Sequence, residues 1–284
     1  MKGNNMTIVK KIVNRLDLHL KNALRKNLQG RFFHTYIHKP IQYDITVDNK
    51  NILLIGIYLT DYDNMAIHLS EQYAKSVRNN VDQRWIAIGK NKVPTSLEAV
   101  TILHSQEKIP KFKLLNQILK DIDFNKYDYI VFSDDDIAIH DNFLDIYIDI
   151  VERKNLKIAQ PARAWHSHNV HPIVIQDKSS IARETNFVEI GPIFSFHQSV
   201  FSYLLPFPDN AEMGLGLDFV WPVIAQENNF KIGIVDLTPV DHSYRAQSTT
   251  YSSSKNLEKM YEFLTSYANN MNEPKVTLQR FKVQ

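Results

Sequence analysis

Apolar runs alternate with amphipathic stretches along most of the chain, from about residue 50 to residue 270. The segment Asn51–Leu59 is an almost unbroken apolar run, which is typical of a strand buried on both faces. Further strands are predicted at 84–88, 99–103, 129–132, 187–196 and 231–236, and helices at 64–79, 112–122, 143–153, 217–228 and 255–268. This alternation predicts an α/β fold, with a mostly parallel central sheet flanked by helices.

The first 40 residues form a basic arm that differs from the rest of the chain. They contain nine Lys or Arg and a single acid, Asp17, although the whole chain has a formal net charge of only +2. Apolar residues recur every four positions from Ile8 to Leu24, which predicts an amphipathic N-terminal helix. We favour packing of this helix on the domain or on a partner subunit, and keep contact with an anionic membrane surface as the alternative. Because the rest of the chain carries a net negative charge, no nucleic-acid partner is expected.

Composition narrows the class of protein further. The 284 residues contain no cysteine, which excludes disulfide-stapled modules, cysteine metal sites and a cysteine nucleophile. No apolar run reaches the roughly 20 residues of a membrane span. The first residues also lack the apolar core of a signal peptide. These features favour a cytoplasmic location, and in the alternative role the arm would be a peripheral contact to the inner face of the membrane.

Three consecutive carboxylates, Asp134, Asp135 and Asp136, follow the strand predicted at 129–132. Their mutual repulsion raises their pKa values unless a positive charge neutralises them. Carboxylate oxygens suit hard cations such as Mg²⁺ and Mn²⁺, which also bind phosphate oxygens. If the strand continued, Asp134 and Asp136 would point to one side, so these two are the predicted metal-facing pair. The alternative is a solvated acidic turn.

Later segments carry three further candidate groups. Asp218 follows two glycines at the predicted start of a helix, where it is either an N-cap or a general base. Glu189 lies in the predicted strand 187–196, as a buried hydrogen-bonded carboxylate or as a group that binds substrate. His242, which follows Asp241, is either an ordinary polar residue or a ligand of a transition metal.

Taken in order, these segments resemble the GT-A superfamily of nucleotide-sugar glycosyltransferases, over roughly residues 50–245. The helix containing Lys113 and Asn116, followed by the strand that ends in the acidic triplet, is similar to the Lys-x-x-Asn helix and Asp-x-Asp strand end of that fold. The closest resemblance is to a family of uncharacterised plant and bacterial GT-A-like proteins. It rests on the triplet and on the motifs Gln160-Pro161, Phe187-Val-Glu189, Gly216-Leu-Asp218 and Val235-Asp236.

The resemblance implies a Rossmann-like fold, a nucleotide-sugar donor and a bound Mn²⁺ or Mg²⁺. It implies Asp218 as the residue that serves as catalytic base in inverting members, while inversion and retention both stay open. Glu189 is a second catalytic candidate. One departure affects the base, because the family's Glu-Asp doublet is Leu217-Asp218 here. The implied metal ligands are Asp134, Asp136 and His242, and the implied donor contacts are Asp61, Asp63, Lys113, Asn116, Asp134 and Asp135.

The implied function is transfer of a sugar to a glycan or lipid-linked acceptor, in the biosynthesis of a cell-surface polysaccharide. Residues 1–45 would be the basic arm, 46–250 the catalytic domain and 251–284 a C-terminal helix and tail. Two alternatives stay open, namely a GT-A-like module that binds a sugar or a partner without turnover, and an Asp-nucleophile phosphatase. The loop with Trp165, His166, His168 and His171 is either a metal site or a surface on which an acceptor sugar stacks. The donor, the acceptor and the oligomeric state stay open.

Overall fold

The computed structural model describes residues 41, 43–245, 253–265 and 273–282. The predicted amphipathic helix of the basic arm lies outside the described residues. Among the helices that the structure does describe, none combines the length and the apolar character needed to cross a membrane.

A single sheet organises the described residues. Its order is β3-β2-β1-β4-β7-β5-β8-β6-β9, and β6 and β7 run opposite to the other seven strands. The predicted α/β fold with a mostly parallel central sheet is therefore confirmed. The strands are β1 (Asn51–Leu59), β2 (Asn80–Ile88), β3 (Thr101–Ser105), β4 (Tyr129–Ser133), β5 (Leu156–Arg163), β6 (Ala182–Thr185), β7 (Ile193–His197), β8 (Lys231–Val240) and β9 (Thr277–Phe281).

Helices cover both faces of the sheet. Alternation along β1 sends Leu53 and Ile55 into one core and Ile52 and Leu54 into the other, so this strand is buried on both sides. The helices are α1 (Ala66–Ala74), α2 (Lys111–Leu119), α3 (Phe143–Arg153), α4 (Phe201–Leu204), α5 (Leu217–Glu227) and α6 (Ser253–Thr265). The first core receives α2, α4, α5 and α6, and the second receives α1 and α3.

The strand predicted at 187–196 is wrong in its first half. Only Ile193–His197 joins the sheet, and the residues before it form a loop that ends in the cis peptide between Gly191 and Pro192. Pro192 has no N–H to give to a ladder, which is why the apolar pattern does not continue as a strand here. Glu189 therefore lies in a loop, where its backbone N–H donates to the Gln160 side chain.

Three strands have no counterpart in the predicted pattern. β5 contains Pro161 and ends in Arg163, whereas β6 and β9 are short and rich in polar residues. β9 lies in the segment predicted only as a C-terminal helix and tail, and it pairs with β6 in the same sheet as the rest of the chain.

Candidate active site at the strand ends

The acidic triplet and His242 meet at one edge of the sheet. β4 and β8 run in the same direction, so the residues that follow them lie at the same edge. Ala138 and Asp241 form a two-way backbone bridge, with N···O distances of 2.8 and 3.1 Å. This bridge holds the segment after β8 beside the triplet, and it places His242 Nε2 3.2 Å from Asp136 Oδ1.

Asp135 is the buried member of the triplet. Its Oδ2 accepts a 2.8 Å hydrogen bond from the Leu59 backbone N–H, and its carboxylate also pairs with Arg245. Burial raises the pKa of Asp135, and the neighbouring charge of Asp136 adds to this effect. Asp135 therefore fixes the end of β1 to the triplet.

Asp136 is held in its ionised form. Burial alone would raise the pKa of Asp136, but the hydrogen bond from His242 and the charge of Arg245 outweigh it and hold this pKa well below its usual range. Arg245 Nη2 lies 3.2 Å from Asp136 Oδ2, so one guanidinium serves both Asp135 and Asp136. The strand ends at Ser133, so the strand alternation that predicted Asp134 and Asp136 as a pair does not extend to these residues.

Asp134 contacts a lysine instead. Lys111, the first residue of α2, pairs with its carboxylate, and both side chains are partly exposed. The Asp134 backbone N–H donates to the Pro192 carbonyl at 2.7 Å, which ties the triplet to the loop of Glu189.

Arg163 connects His242, which contacts the acidic triplet, with the loop that contains Glu189. Its side chain is almost fully buried at the end of β5. Nη1 lies 2.9 Å from His242 Nδ1, Nη2 lies 2.8 Å from Glu189 Oε2, and Nη2 also donates to the Gly191 carbonyl. Glu189 Oε1 accepts a 3.3 Å hydrogen bond from the His171 backbone. Glu189 is thus a buried carboxylate with both oxygens engaged.

Asp218 is a buried carboxyl group with a free oxygen. It is the second residue of α5, whose N-cap is Gly216 with φ of 101°, so Asp218 is not the N-cap itself. The side chain is 8% exposed, and within the described part of the chain its Oδ1 has no hydrogen-bond partner. Burial raises the pKa of Asp218 to about 7, and the charge of Glu189 contributes. A carboxyl group with these properties is suited to take or give a proton near neutral pH.

The charged side chains that pair around the acidic triplet, with His242 and Glu189, form one network. Four residues predicted to contact the donor lie outside this network or at its rim. Asp61 is exposed, and the backbone N–H groups of residues 90 and 91 hold it at 2.8 and 2.9 Å. Asp63 is exposed, and its backbone carbonyl lies 3.5 Å from Arg245. Lys113 is exposed on α2. Asn116 is buried and uses both amide atoms on the backbone of Phe207.

The histidines of the loop after β5 do not converge on a single site. His166 Nε2 pairs with Asp241 Oδ2 at 2.9 Å, whereas the rings of His168 and His171 contact His242 and Phe187. In the described part of the chain, no group of three or more His, Asp or Glu side chains is placed to share a metal ion. Trp165 is 69% exposed.

Asp236, from the Val235-Asp236 motif, also lies outside the network. It is completely buried, and Arg183 holds its two oxygens at 2.8 Å each. Ser180 donates a further hydrogen bond of 2.6 Å. This motif therefore contributes a buried ion pair between β6 and β8.

The implied metal does not fit the predicted ligands as they are placed. Asp134 is paired with Lys111, which leaves Asp136 and His242 as the one predicted ligand pair in contact. A metal-bound histidine normally donates its other ring N–H to an acceptor, but Arg163 faces Nδ1 of His242 and can only donate.

Sequence reasoning missed the three basic residues of the network, Lys111, Arg163 and Arg245. Each lies close in sequence to a residue that the motifs did single out: Lys111 two positions before Lys113, Arg163 three after Gln160, and Arg245 three after His242. The available signal was the need of several adjacent carboxylates for cationic partners.

Comparison with solved structures supports the fold of the chain. GalNAc-T7, crystallised with UDP, GalNAc and Mn²⁺, is similar with a TM-score of 0.51 and 11% identity. The match covers 75% of this chain and 48% of that chain, so the chain spans about half the length of this relative. S. aureus TarS 1-349 in complex with UDP matches with a TM-score of 0.44 and 13% identity, over 78% of this chain and 73% of that one. At such low identity the GalNAc-T7 similarity concerns the fold, which is GT-A-like as predicted.

The sequence itself assigns the chain to a family. Residues 102–281 match the family described as "Protein of unknown function (DUF707)", and the chain belongs to it. No curated protein matches the sequence. The matched segment starts at β3 and ends in β9, so it includes the triplet, Arg163, Asp218 and His242.

Proposed function

We propose that the chain is a glycosyltransferase that moves a sugar from a nucleoside-diphosphate donor to a glycan or lipid-linked acceptor. The observation that carries the proposal is a single sheet edge where Lys111 and Arg245 pair with the acidic triplet, together with the buried Asp218, whose Oδ1 accepts no hydrogen bond from the described residues and whose pKa the charge of Glu189 helps to raise. Ligands of open α/β sheets bind at this edge. A relative of the same fold was crystallised with UDP, a sugar and Mn²⁺, which supports the donor class.

On the donor side, Lys111 and Arg245 are partly exposed cations at the triplet. When the bond between the sugar carbon and the diphosphate oxygen breaks, its electron pair leaves with the nucleoside diphosphate. Charged N–H donors that are already positioned stabilise this developing negative charge. Because His242 does not present a free nitrogen to a metal, we assign no step to a divalent cation.

On the acceptor side, Asp218 is the proposed base. The acceptor hydroxyl attacks the sugar carbon, a new C–O bond forms, and its proton passes to the carboxylate of Asp218. Attack from the face opposite the diphosphate would invert the configuration of the sugar. Glu189 does not act as the base in this proposal, because Arg163 and the His171 backbone already occupy its two oxygens.

The test is a donor screen that measures release of the nucleoside diphosphate, with a panel of nucleotide sugars and glycan acceptors. The wild-type chain should turn over at least one donor, and Asp218→Asn should lower the rate by about 10²–10⁴-fold. The matched control is Asp209→Asn, an exposed acid just before the same glycine-rich segment, which should keep the wild-type rate.

Two outcomes would contradict this proposal. Full activity of Asp218→Asn would remove Asp218 from the reaction. Nucleotide binding by calorimetry without release from any donor would instead favour a GT-A-like binding module. The proposal includes a cytoplasmic setting and a cell-surface glycan product, with membrane contact of the arm as the alternative to its packing on the domain or on a partner subunit.

A further inference from the structure

We propose that Arg163 is a positioning residue that makes His242 a hydrogen-bond donor to Asp136, and so keeps His242 from binding a metal. The inference rests on the proposed function only in placing the nucleotide at this edge of the sheet. It reverses the role that the sequence resemblance implies for His242.

The first step is the direction of the hydrogen bond between Arg163 and His242. A guanidinium carries only donors, so at 2.9 Å from Arg163 Nη1 the Nδ1 atom of His242 has to accept. A neutral imidazole ring has one N–H, which must then be at Nε2. Nε2 lies 3.2 Å from Asp136 Oδ1, where the N–H has a carboxylate acceptor.

The second step is that Arg163 cannot easily leave this position. Its other terminal nitrogen is paired with Glu189 at 2.8 Å and also donates to the Gly191 carbonyl. Both charged side chains are buried, and removing one partner of such a pair is strongly unfavourable. The ion pair therefore imposes the orientation of the guanidinium, and the guanidinium imposes the position of the ring N–H.

The third step is that the backbone of His242 is fixed as well. Its N–H donates to Ser167 Oγ at 2.7 Å, and its carbonyl accepts from the His168 backbone at 3.4 Å. The neighbouring bridge between Asp241 and Ala138 adds two further backbone bonds. The ring is thus presented to Arg163 and Asp136 by a backbone that is held on both sides.

The inference predicts where the hydrogen lies on the ring of His242. In ¹⁵N spectra of the full chain in EDTA, the His242 signals, assigned by their loss in His242→Gln, should show hydrogen on Nε2 only. Arg163→Gln replaces the donor with a side chain whose amide oxygen can accept, so the Nδ1–H form should appear. Arg84→Gln, at a partly exposed arginine paired with Asp82 away from the site, is the control and should leave the signals unchanged.

Calorimetry with Mn²⁺ alone tests the consequence for metal binding. His242→Ala should change any Mn²⁺ affinity by less than about threefold, whereas Arg163→Gln should raise it by about 10–100-fold, the range in which outer groups tune metal sites. A tenfold or larger loss of affinity in His242→Ala would overturn the inference, and so would hydrogen on Nδ1 in the wild-type spectrum. If Arg163→Gln does not fold, the wild-type spectrum and His242→Ala still decide. Neither measurement needs turnover, so failure of the donor screen would not be confused with failure here.

Discussion

At the scale of single residues, Asp218 carries the strongest link between burial and chemistry. Burial raises the pKa of its carboxyl group to about 7, and only the ionised form can accept a proton. We therefore expect kcat/KM to fall as the pH drops below about 7 and to level off above it. The measurement is a pH profile of nucleoside diphosphate release.

The acid limb of that profile should belong to Asp218. Asp218→Asn should lack it in whatever activity remains, whereas Asp209→Asn should retain it. An unchanged limb in Asp218→Asn would assign the titration to another group.

The same burial has a consequence for stability. The pKa of Asp218 is higher in the folded chain than its ordinary value of 3.8, so the folded state retains a proton that the unfolded chain loses between about pH 4 and 7. The contribution of Asp218 to the free energy of unfolding therefore decreases as the pH rises through this window. Asp218→Asn removes the charge, so we expect it to stabilise the fold at pH 8 by at most a few kcal/mol.

Urea unfolding of both proteins at pH 8 and near pH 4 checks this expectation. The difference in unfolding free energy should become much smaller at the lower pH, where Asp218 is neutral in the folded state and only partly ionised in the unfolded chain. A destabilised Asp218→Asn at pH 8 would show that the ionised carboxylate has partners that hold it in the fold.

At the scale of the elements, α2 carries two residues predicted to contact the donor, Lys113 and Asn116, and their surroundings differ. Asn116 accepts from the Phe207 N–H at 2.9 Å and donates to the Phe207 carbonyl at 2.8 Å, which ties α2 to the segment after α4. Asn116→Ala leaves two buried backbone groups without partners, and we expect a loss of about 2–4 kcal/mol in unfolding free energy. Thermal or urea unfolding measures it.

Lys113→Ala is the matched variant on the same helix, because Lys113 is exposed and should leave stability within about 0.5 kcal/mol. Nucleotide affinity distinguishes the two roles. If either residue contacts the donor, its alanine variant should weaken binding of a nucleoside diphosphate by calorimetry. A weakened affinity in Asn116→Ala with unchanged stability would contradict the structural role.

The elements also show what the sequence could reveal. β1 and α3 were predicted at their observed bounds, because continuous apolar runs and a strong helical period are local signals. β6 and β9 are held mainly by backbone pairing with strands far away in sequence, so their polar composition carries no such signal.

The same distinction holds for the site. Acids that directly follow a strand were singled out, and the structure brings Asp136 and His242 together. Arg163 was not, because its role depends on His242 and Glu189, residues that meet it only in the folded chain. The direction of its hydrogen bond to His242 is a property of three-dimensional contact that no motif contains.

At the scale of the whole molecule, the C-terminal segment returns to the site. β9 pairs with β6, and Asn186 holds the residues before β9 through hydrogen bonds of 2.9 Å to the Pro274 carbonyl and 2.7 Å from the Val276 N–H. Between these two contacts, Lys275 places its Nζ 4.8 Å from the ring centre of Phe219, the neighbour of Asp218 in α5. The pairing of β9 with the sheet thus holds the positive charge of Lys275 close to Asp218, the proposed base.

The positive charge of Lys275 lowers the pKa of Asp218, whereas burial and the charge of Glu189 raise it by a larger amount. Lys275→Met keeps an unbranched apolar stem over the aromatic rings but removes the charge. We expect the acid limb of the pH profile to move upward by about 0.3–1 pH unit, with the rate at high pH nearly unchanged. Lys282→Met, an exposed lysine just after β9, is the control for changes in net charge and should leave the limb in place. Equal shifts in both variants would mean that the site responds to the overall charge of the protein. No shift in either variant would mean that Lys275 does not influence the titration of Asp218.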